Sequence, residues 1–598
     1  MNDEPKLRVV ARDQSPRDEG GLESRSAGAG GTERPGRGSR RAFLGSVSGA
    51  AAVAATMGGI VLEPLLGAKS SAAQALPTAL DISGLTGAAR ANAALAIRVE
   101  LAGAERLVPI PQHPTNGDEA HYPDKANSYS KCLLHDAYGE VDLNSYASLR
   151  QALTTGDPAD FENIILGGTR LLNGPQGGFA FDTEGTDAYQ FGAPLVPAAP
   201  ALASDLNATE LVELYWAALL RDVPFTEYAT NPVAAQAAAE LDGLPRYQGP
   251  KAGGQVTPAV LFRGGFPGEA LGPYISQFFL QPTNMGAQAI SQLQTSYAPG
   301  IDYGADFATW LDIQNGVDTG LRNQPDPQLR CMHSGRDLAA WTHVDVLYQA
   351  YFTAFLLLQT LGAPLNPGNP YFRSKTQNGF GTFGAPDFAA TLAEVATRAL
   401  KAVWFQKWQI HMRARPEANG GLLHLIKTGQ GNRTQGKLSN VVLDSQAAQA
   451  VFNKNGTWLL PLAFPEGSPA HPAYPTGHGT VGGACITVLK FFFNGAFVIP
   501  DPVVPTDDGT AVIPYTGADA GELTVDGELN KLGHNVSFGH GIHAGIHWRT
   551  DTDSSLLLGE AVALAVLRDR ARTYNEKFTA QLTKFDGTTA TISNQQRP

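Results

Sequence analysis

Cysteine is scarce in this 598-residue chain: Cys132, Cys331 and Cys485 are all there are. Three thiols cannot build a disulfide framework, and none falls in a Cys-x-x-Cys spacing, so a thiolate zinc site and dithiol redox chemistry are set aside. One bridge is possible if the chain is exported. A surplus of positive charge is also missing. Lys plus Arg number 44 against 56 Asp plus Glu, a formal charge of −12. Nothing therefore draws the whole molecule to nucleic acid or to an acidic membrane surface, and any anion it binds must be held by a local cluster of cations. No internal repeat recurs at a period of about 20–50 residues. What the chain does have is 43% apolar and 17% charged residues, enough for a sizeable core and too apolar for wholesale disorder. Its 66 glycines and 40 prolines predict long and numerous loops. The length alone predicts about four domains, or fewer large ones.

The N-terminal 75 residues stand apart. Residues 1–38 are polar, rich in Gly, Ser and Arg, and read as disordered. Ser39-Arg40-Arg41-Ala42-Phe43-Leu44 then opens an uncharged Ala/Gly-rich run to Leu62, followed by Lys69 and the small-residue triplet Ala73-Gln74-Ala75. A paired arginine, a weakly apolar stretch and an Ala-x-Ala site predict a twin-arginine export signal cleaved near Ala75 and a periplasmic or extracellular product. The alternative is a single membrane anchor, which so much Gly and Ala would make weak. Contact with a membrane is expected only through this signal.

Residues 76–598 read as one mostly helical domain, its catalytic part at about 385–580. Helical apolar spacing runs through Leu211–Leu220, Asp345–Leu361, Phe388–Met412 and Ser555–Tyr574. Strand-like alternation is sparse and clusters in Gly495–Thr524, which reads as a β-hairpin excursion, and Ala363–Pro386 reads as a loop. The predicted class is mainly α, with the chemistry between packed helices.

Three segments carry residues suited to an oxyanion. In Lys407-Trp-Gln-Ile-His411-Met-Arg-Ala-Arg415-Pro416, Lys407, His411 and Arg415 follow one stripe of a helix that Pro416 ends, freeing the Arg415 guanidinium. Arg offers a planar fork and Lys a point charge; a solvated basic face is the alternative. In His471-Pro-Ala-Tyr-Pro475-Thr476-Gly477-His478-Gly479, Thr476 is a candidate N-cap. The amides of Gly477 and His478 then open a helix N-terminus, with His478 as a proton carrier at its rim. A glycine-rich loop with a satisfied histidine is the alternative. In His540-Gly541-Ile-His543-Ala-Gly-Ile-His547-Trp-Arg549-Thr-Asp551, the four-residue spacing predicts His543, His547 and Asp551 on one helix face. Asp551 would then fix the tautomer of His547. A zinc-binding His-x3-His pair and surface histidines without a role are the alternatives.

Together and in this order, the three segments resemble the signature of vanadium-dependent haloperoxidases and acid phosphatases of the type-2 phosphatidic acid phosphatase superfamily. The resemblance is closest to the haloperoxidases. It is carried by Lys407-Trp-x-x-His411-x-x-x-Arg415-Pro416-Glu417 and His471-Pro-x-Tyr-Pro-x-Gly-His478, and by Asn116-Gly-Asp-Glu119, Leu220-Arg-Asp-Val-Pro-Phe225 and Phe262-Arg-Gly-Gly-Phe-Pro-Gly268. It spans roughly residues 90–580. It implies the helical bundle fold of that family and a vanadate cofactor with His547 as axial ligand. It further implies Lys407, Arg415, Thr476 and the Gly477 amide on the oxyanion, His478 as acid–base group, and His471 near the halide. Hydrogen peroxide, a halide and an organic substrate would be the partners, with Lys407 polarising the peroxide oxygen and a hypohalous-acid equivalent as product. A homo-oligomer is implied by analogy. His471 tips the halide slightly toward bromide, although it also occurs with chloride oxidation.

Two positions depart from the family pattern. Thr476 replaces serine and keeps the hydroxyl. Gly541 stands where the family has an arginine, six residues before His547. A hydrogen bond to a charged group contributes about 1.5–3 kcal/mol, so its loss predicts weaker vanadate or phosphate binding by roughly one to two orders of magnitude. Protonated His540 or His543 would substitute in part, and Arg549 is a poorer candidate because it points elsewhere on the helix. Three readings follow: a vanadate haloperoxidase with an altered pocket; a relative running phosphate-ester hydrolysis or a cofactor-free rearrangement; and a non-catalytic oxyanion-binding protein.

Overall fold

Helices dominate, and a few sequence devices place them. The computed structural model describes residues 82, 84–183, 196–430 and 437–595, all within one compact unit. The export signal and cleavage site expected in residues 1–75 lie outside the described residues. The elements that matter here are α1 (Gly87–Arg106), α2 (Asp205–Leu220), α3 (Gly335–Val344), α4 (Gln349–Thr360) and α5 (Ala385–Phe405), followed by α6 (Pro416–Lys427), α7 (Gly477–Phe492), α8 (Val525–Phe538) and α9 (Arg549–Ala571). Ser204 caps α2 by accepting from the Asn207 amide, and Ser334 and Asp337 form a reciprocal capping box at the start of α3.

Helix α7 is the axis of the bundle. Every one of its residues is buried, as expected of a helix apolar on all sides. Its packing against α9 depends on two glycines at the crossing. A Cβ on Gly483 would stand 2.0 Å from the Leu556 carbonyl oxygen, and one on Gly559 would stand 1.9 Å from that of Thr480. Helix α5 closes the third side with a stripe of Phe388, Leu392, Val395, Ala399 and Val403, all buried.

The helical expectation holds, with informative differences at element ends. Helix α4 begins at Gln349, so Asp345 lies in the turn after α3 and is free to point inward. Helix α5 stops at Phe405 and the chain continues as a π turn, Gln406–His411, ending at Met412 in the left-handed region with φ 46°. A second π turn, Gly539–His543, follows α8. Each inserts an extra residue per turn and so rotates the side chains that follow. The hairpin excursion is present as β5 (Val503–Pro505) paired antiparallel with β6 (Val512–Pro514). Strands also occur where none were expected. These are β1 (Thr283–Met285) with β2 (Gln288–Ile290), β3 (Gln294–Tyr297) with β4 (Pro325–Arg330), and β7 (Thr579–Thr583) with β8 (Thr589–Ser593). All three cysteines are buried and free.

Candidate functional site

The first and second segments meet through the two cations. Lys407 sits in the π turn after α5, fully buried, and its Nζ donates to the carbonyls of Pro472 at 2.8 Å and Ala473 at 2.7 Å. Arg415 is not at the end of one long helix, as its spacing suggested. The chain breaks at Met412, and Arg415 becomes the extended N-cap residue of α6, with Pro416 in the first turn. Its guanidinium donates to the carbonyls of His471 and Ile546 at 2.9 and 2.8 Å, and to His547 Nε2 at 2.8 Å. Neither cation forms an ion pair with a carboxylate among the described residues. Burial, reinforced by its neighbour Arg415, holds the Lys407 ammonium well below its usual range, and burial brings Arg415 down to about 10. Two buried cations without a carboxylate partner are costly, and a bound anion offsets that cost.

Orphaned donors surround them. Thr476 is the N-cap residue of α7, yet its hydroxyl makes no capping bond; the Oγ1 is buried and has no partner. Gly477, the first residue of α7, lines the same cavity as His471, His478, His540 and His547. Its first-turn amides add their N–H groups and the positive end of the helix dipole. The cavity is about 190 Å³, walled on one side by Leu347, Leu400 and Trp404.

His547 is fixed from behind. Its Nδ1 lies 2.9 Å from Asp551 Oδ2, which also accepts from the Trp548 amide at 3.1 Å. Arginine can only donate, so His547 Nε2 is the acceptor atom and Nδ1 carries the proton. Burial and the adjacent Arg415 and Lys407 charges hold His547 well below the usual imidazole range, so it is neutral. The Asp551 carboxylate is held in turn by Arg413, whose Nη1 reaches Oδ1 at 2.8 Å. Arg413 also bonds Glu210 and Asn207 at 3.0 Å and lies 4.4 Å over the Trp548 ring. His478 carries the mirror arrangement: its Nε2 is 2.9 Å from Asp345 Oδ1, which leaves Nδ1 with the lone pair. His471 packs its ring 4.7 Å from that of Trp404, with Arg415 Nη2 3.1 Å from its Nδ1.

Other expected site residues are placed elsewhere. His411 is half-buried, edge-on to Tyr474 at 4.7 Å, with neither of its buried ring nitrogens bonded, and it does not line the cavity. His543, His547 and Asp551 do not share one helix face. His543 closes the π turn, Gly545 turns the chain at φ 81°, and α9 starts only at Arg549. His543 therefore points away from the cavity, with Nε2 2.8 Å from the Tyr274 hydroxyl and its ring between Phe225 and Phe262. That separation removes the His-x3-His pair as a metal chelate. Arg549 is committed to Glu213 at 2.5–3.2 Å and supplies no charge to the cavity. Gly541 adds no side chain; a Cβ there would lie 3.2 Å from that of His547. His540, by contrast, does line the cavity, stacked on His478 with ring centroids 4.0 Å apart. The residues that sequence reasoning missed are Asp345 and Arg413. Their partners lie more than 130 positions away, at His478 and Asp551, and only Asp345's position at a helix end hinted at its freedom.

A helical bundle that buries two unpaired cations and an orphaned hydroxyl beside a lone-pair imidazole defines an oxyanion-dependent enzyme, and the donor set fits vanadate. No protein-family model matches the chain. A vanadium-dependent bromoperoxidase of Ascophyllum nodosum is 37% identical over 487 residues, covering 78% of this chain and 86% of the relative. The vanadium-dependent bromoperoxidase of Corallina pilulifera is 34% identical over 569 residues, covering 80% and 94%. The structure of a second, homohexameric vanadate-dependent bromoperoxidase from Ascophyllum nodosum superposes with a TM-score of 0.80 at 29% identity, covering 88% of this chain and 94% of that one. The chain belongs to the vanadium-dependent haloperoxidase family. It is a vanadate-dependent haloperoxidase, and its cofactor is vanadate.

Proposed function

We propose that vanadate sits against His547 Nε2, with Arg415, Lys407, the Thr476 hydroxyl and the Gly477 amide on its oxygens. The observation that carries this reading is the pair of buried cations without a carboxylate, beside an imidazole whose other nitrogen is tied to Asp551. When bound, vanadate supplies Lewis-acid activation of hydrogen peroxide without changing its oxidation state. The chain's own residues do the rest. His478, oriented by Asp345, takes and returns a proton at Nδ1. Lys407 uses its remaining N–H, the one not spent on Pro472 and Ala473, to polarise the substrate oxygen. His471 borders the halide side, and Leu347, Leu400 and Trp404 supply the cavity's apolar lining.

The halide is bromide and the product a hypohalous-acid equivalent that transfers to an organic substrate; the bromoperoxidase relatives and His471 support this choice. The protein leaves the cytoplasm by the twin-arginine route, supported by Arg40-Arg41 and Ala73-Gln74-Ala75. It assembles as a homo-oligomer, as its homohexameric structural neighbour does. Among the described residues no helix is long and apolar enough to cross a membrane. Apo-protein reconstituted with orthovanadate should brominate monochlorodimedone in the presence of peroxide and bromide. Absence of turnover at saturating vanadate, with hydrolysis of p-nitrophenyl phosphate instead, would reject the proposal.

A further inference from the structure

We propose that His540 donates a further side-chain hydrogen bond, beside those of Lys407, Arg415 and the Thr476 hydroxyl, to the oxyanion held beside His547, where Gly541 supplies no side chain. The inference rests on the vanadate reading of the cavity and assigns a residue to it.

Three observations converge. The first is an unanswered donor. His540 is 7% exposed, no hydrogen bond reaches either of its ring nitrogens among the described residues, and Nδ1 is fully buried. Buried polar atoms are rarely left without a partner, and here the ring lines the same cavity as His471, His478 and His547. The second is confinement. The ring stacks on His478 at 4.0 Å and lies 5.9 Å from His547 and 6.4 Å from Phe464, which pack it into the cavity lining. The third is the backbone. The π turn Gly539–His543 is wedged on α3, where a Cβ at Gly539 would stand 2.9 Å from both the Leu338 Cβ and carbonyl oxygen. The extra residue in that turn sends His540 toward the cavity and His543 to the opposite side, onto Tyr274. Gly541, between them, faces the His547 Cβ at close range and fills nothing.

The neutral imidazole donates in the tautomer that carries its proton on the nitrogen facing the anion. Burial and the neighbouring His478, His547 and Arg415 keep it neutral. The cradle therefore holds its anion with Lys407, Arg415, the Thr476 hydroxyl and a neutral imidazole, a weaker set than one with a third cation in place of that imidazole.

The test is the dissociation constant of metal-free protein for orthovanadate, followed by vanadium-51 NMR, with inorganic phosphate as competitor. His540→Phe keeps the stacked ring and removes the donor; His540→Gln keeps a donor and removes the ring. Lys407→Ala is the reference for the cavity itself. The proposal expects His540→Phe to weaken vanadate and phosphate binding roughly 10–100-fold, with His540→Gln recovering part of the loss. Should His540→Phe fail to fold, His540→Ala is read against His540→Gln in the same way. Affinity within twofold of the parent for His540→Phe, while Lys407→Ala loses binding, would overturn the role of His540 and leave the cavity assignment standing. Unchanged affinity in both would overturn the two together.

Discussion

Asp551 and Asp345 hold two of the cavity's imidazoles through different ring nitrogens, and that difference sets which nitrogen of each keeps its lone pair. Asp551 binds Nδ1 of His547 and so leaves the lone pair on Nε2, where Arg415 donates; Asp345 binds Nε2 of His478 and so leaves the lone pair on Nδ1. Asp551→Asn should lower vanadate affinity about 10–100-fold, the usual effect of losing the group behind a ligating histidine, as measured by equilibrium dialysis. Asp345→Asn should leave that affinity within about twofold yet lower kcat by roughly tenfold or more and displace the pH–rate profile, because it disturbs a proton carrier rather than a ligand. An equal loss of vanadate affinity in both variants would show that the two carboxylates do not divide these roles. Much of this chemistry is legible in sequence. Lys407, Arg415 and His478 stand in ordered motifs, and Thr476 and Gly477 announce a helix start after Pro475. Asp345 and Arg413 are not legible, since nothing local ties either to a partner so far along the chain.

The elements that place these residues are short departures from regular helix. An apolar period reports which face of a helix is buried; it carries no mark of the extra residue in a π turn. That is why Lys407, His411 and Arg415 read as one stripe, and His543, His547 and Asp551 as one face, when each set is divided by a break in the chain. The hairpin β7–β8 is a different case. Its Asp586-Gly587 turn between alternating strands is a recognised hairpin signal and was available in the sequence. Packing at the α7–α9 crossing yields a prediction at this scale. Gly483→Ala and Gly559→Ala each place a methyl within about 2 Å of a carbonyl oxygen, at 2.0 and 1.9 Å. Each should destabilise the fold by about 1–3 kcal/mol or more, read as a lower urea midpoint, whereas Gly521→Ala, which meets nothing within 4 Å, should not.

Across the whole molecule, buried histidines set opposite limits of pH stability. Burial holds His411 and His543 down to about 3. Between pH 6.5 and 3 the unfolded chain therefore binds protons that the folded chain refuses. Stability should fall on acidification below pH 6.5, by up to about 1.4 kcal/mol per pH unit for each histidine. His534 behaves in the opposite sense. Although burial alone would depress it, Glu269 and Asp553 raise it to about 9. Its contribution is complete below pH 6.5 and is lost as pH rises through 9. Urea midpoints against pH should therefore decline on both sides of neutrality, and His534→Gln should flatten the alkaline limb only. A midpoint that rises steadily with pH in the parent protein would contradict the His534 assignment.

The proposed site holds one tetrahedral guest between Lys407 and Arg415 and against His547 Nε2. Crystals of the vanadate-loaded protein, recorded on either side of the vanadium absorption edge, test that placement directly. The account predicts a single anomalous difference peak per chain, within bonding distance of His547 Nε2 and flanked by the Lys407 ammonium, the Arg415 guanidinium and the Thr476 hydroxyl. A peak elsewhere, or no peak at a vanadate concentration that supports turnover, would contradict it.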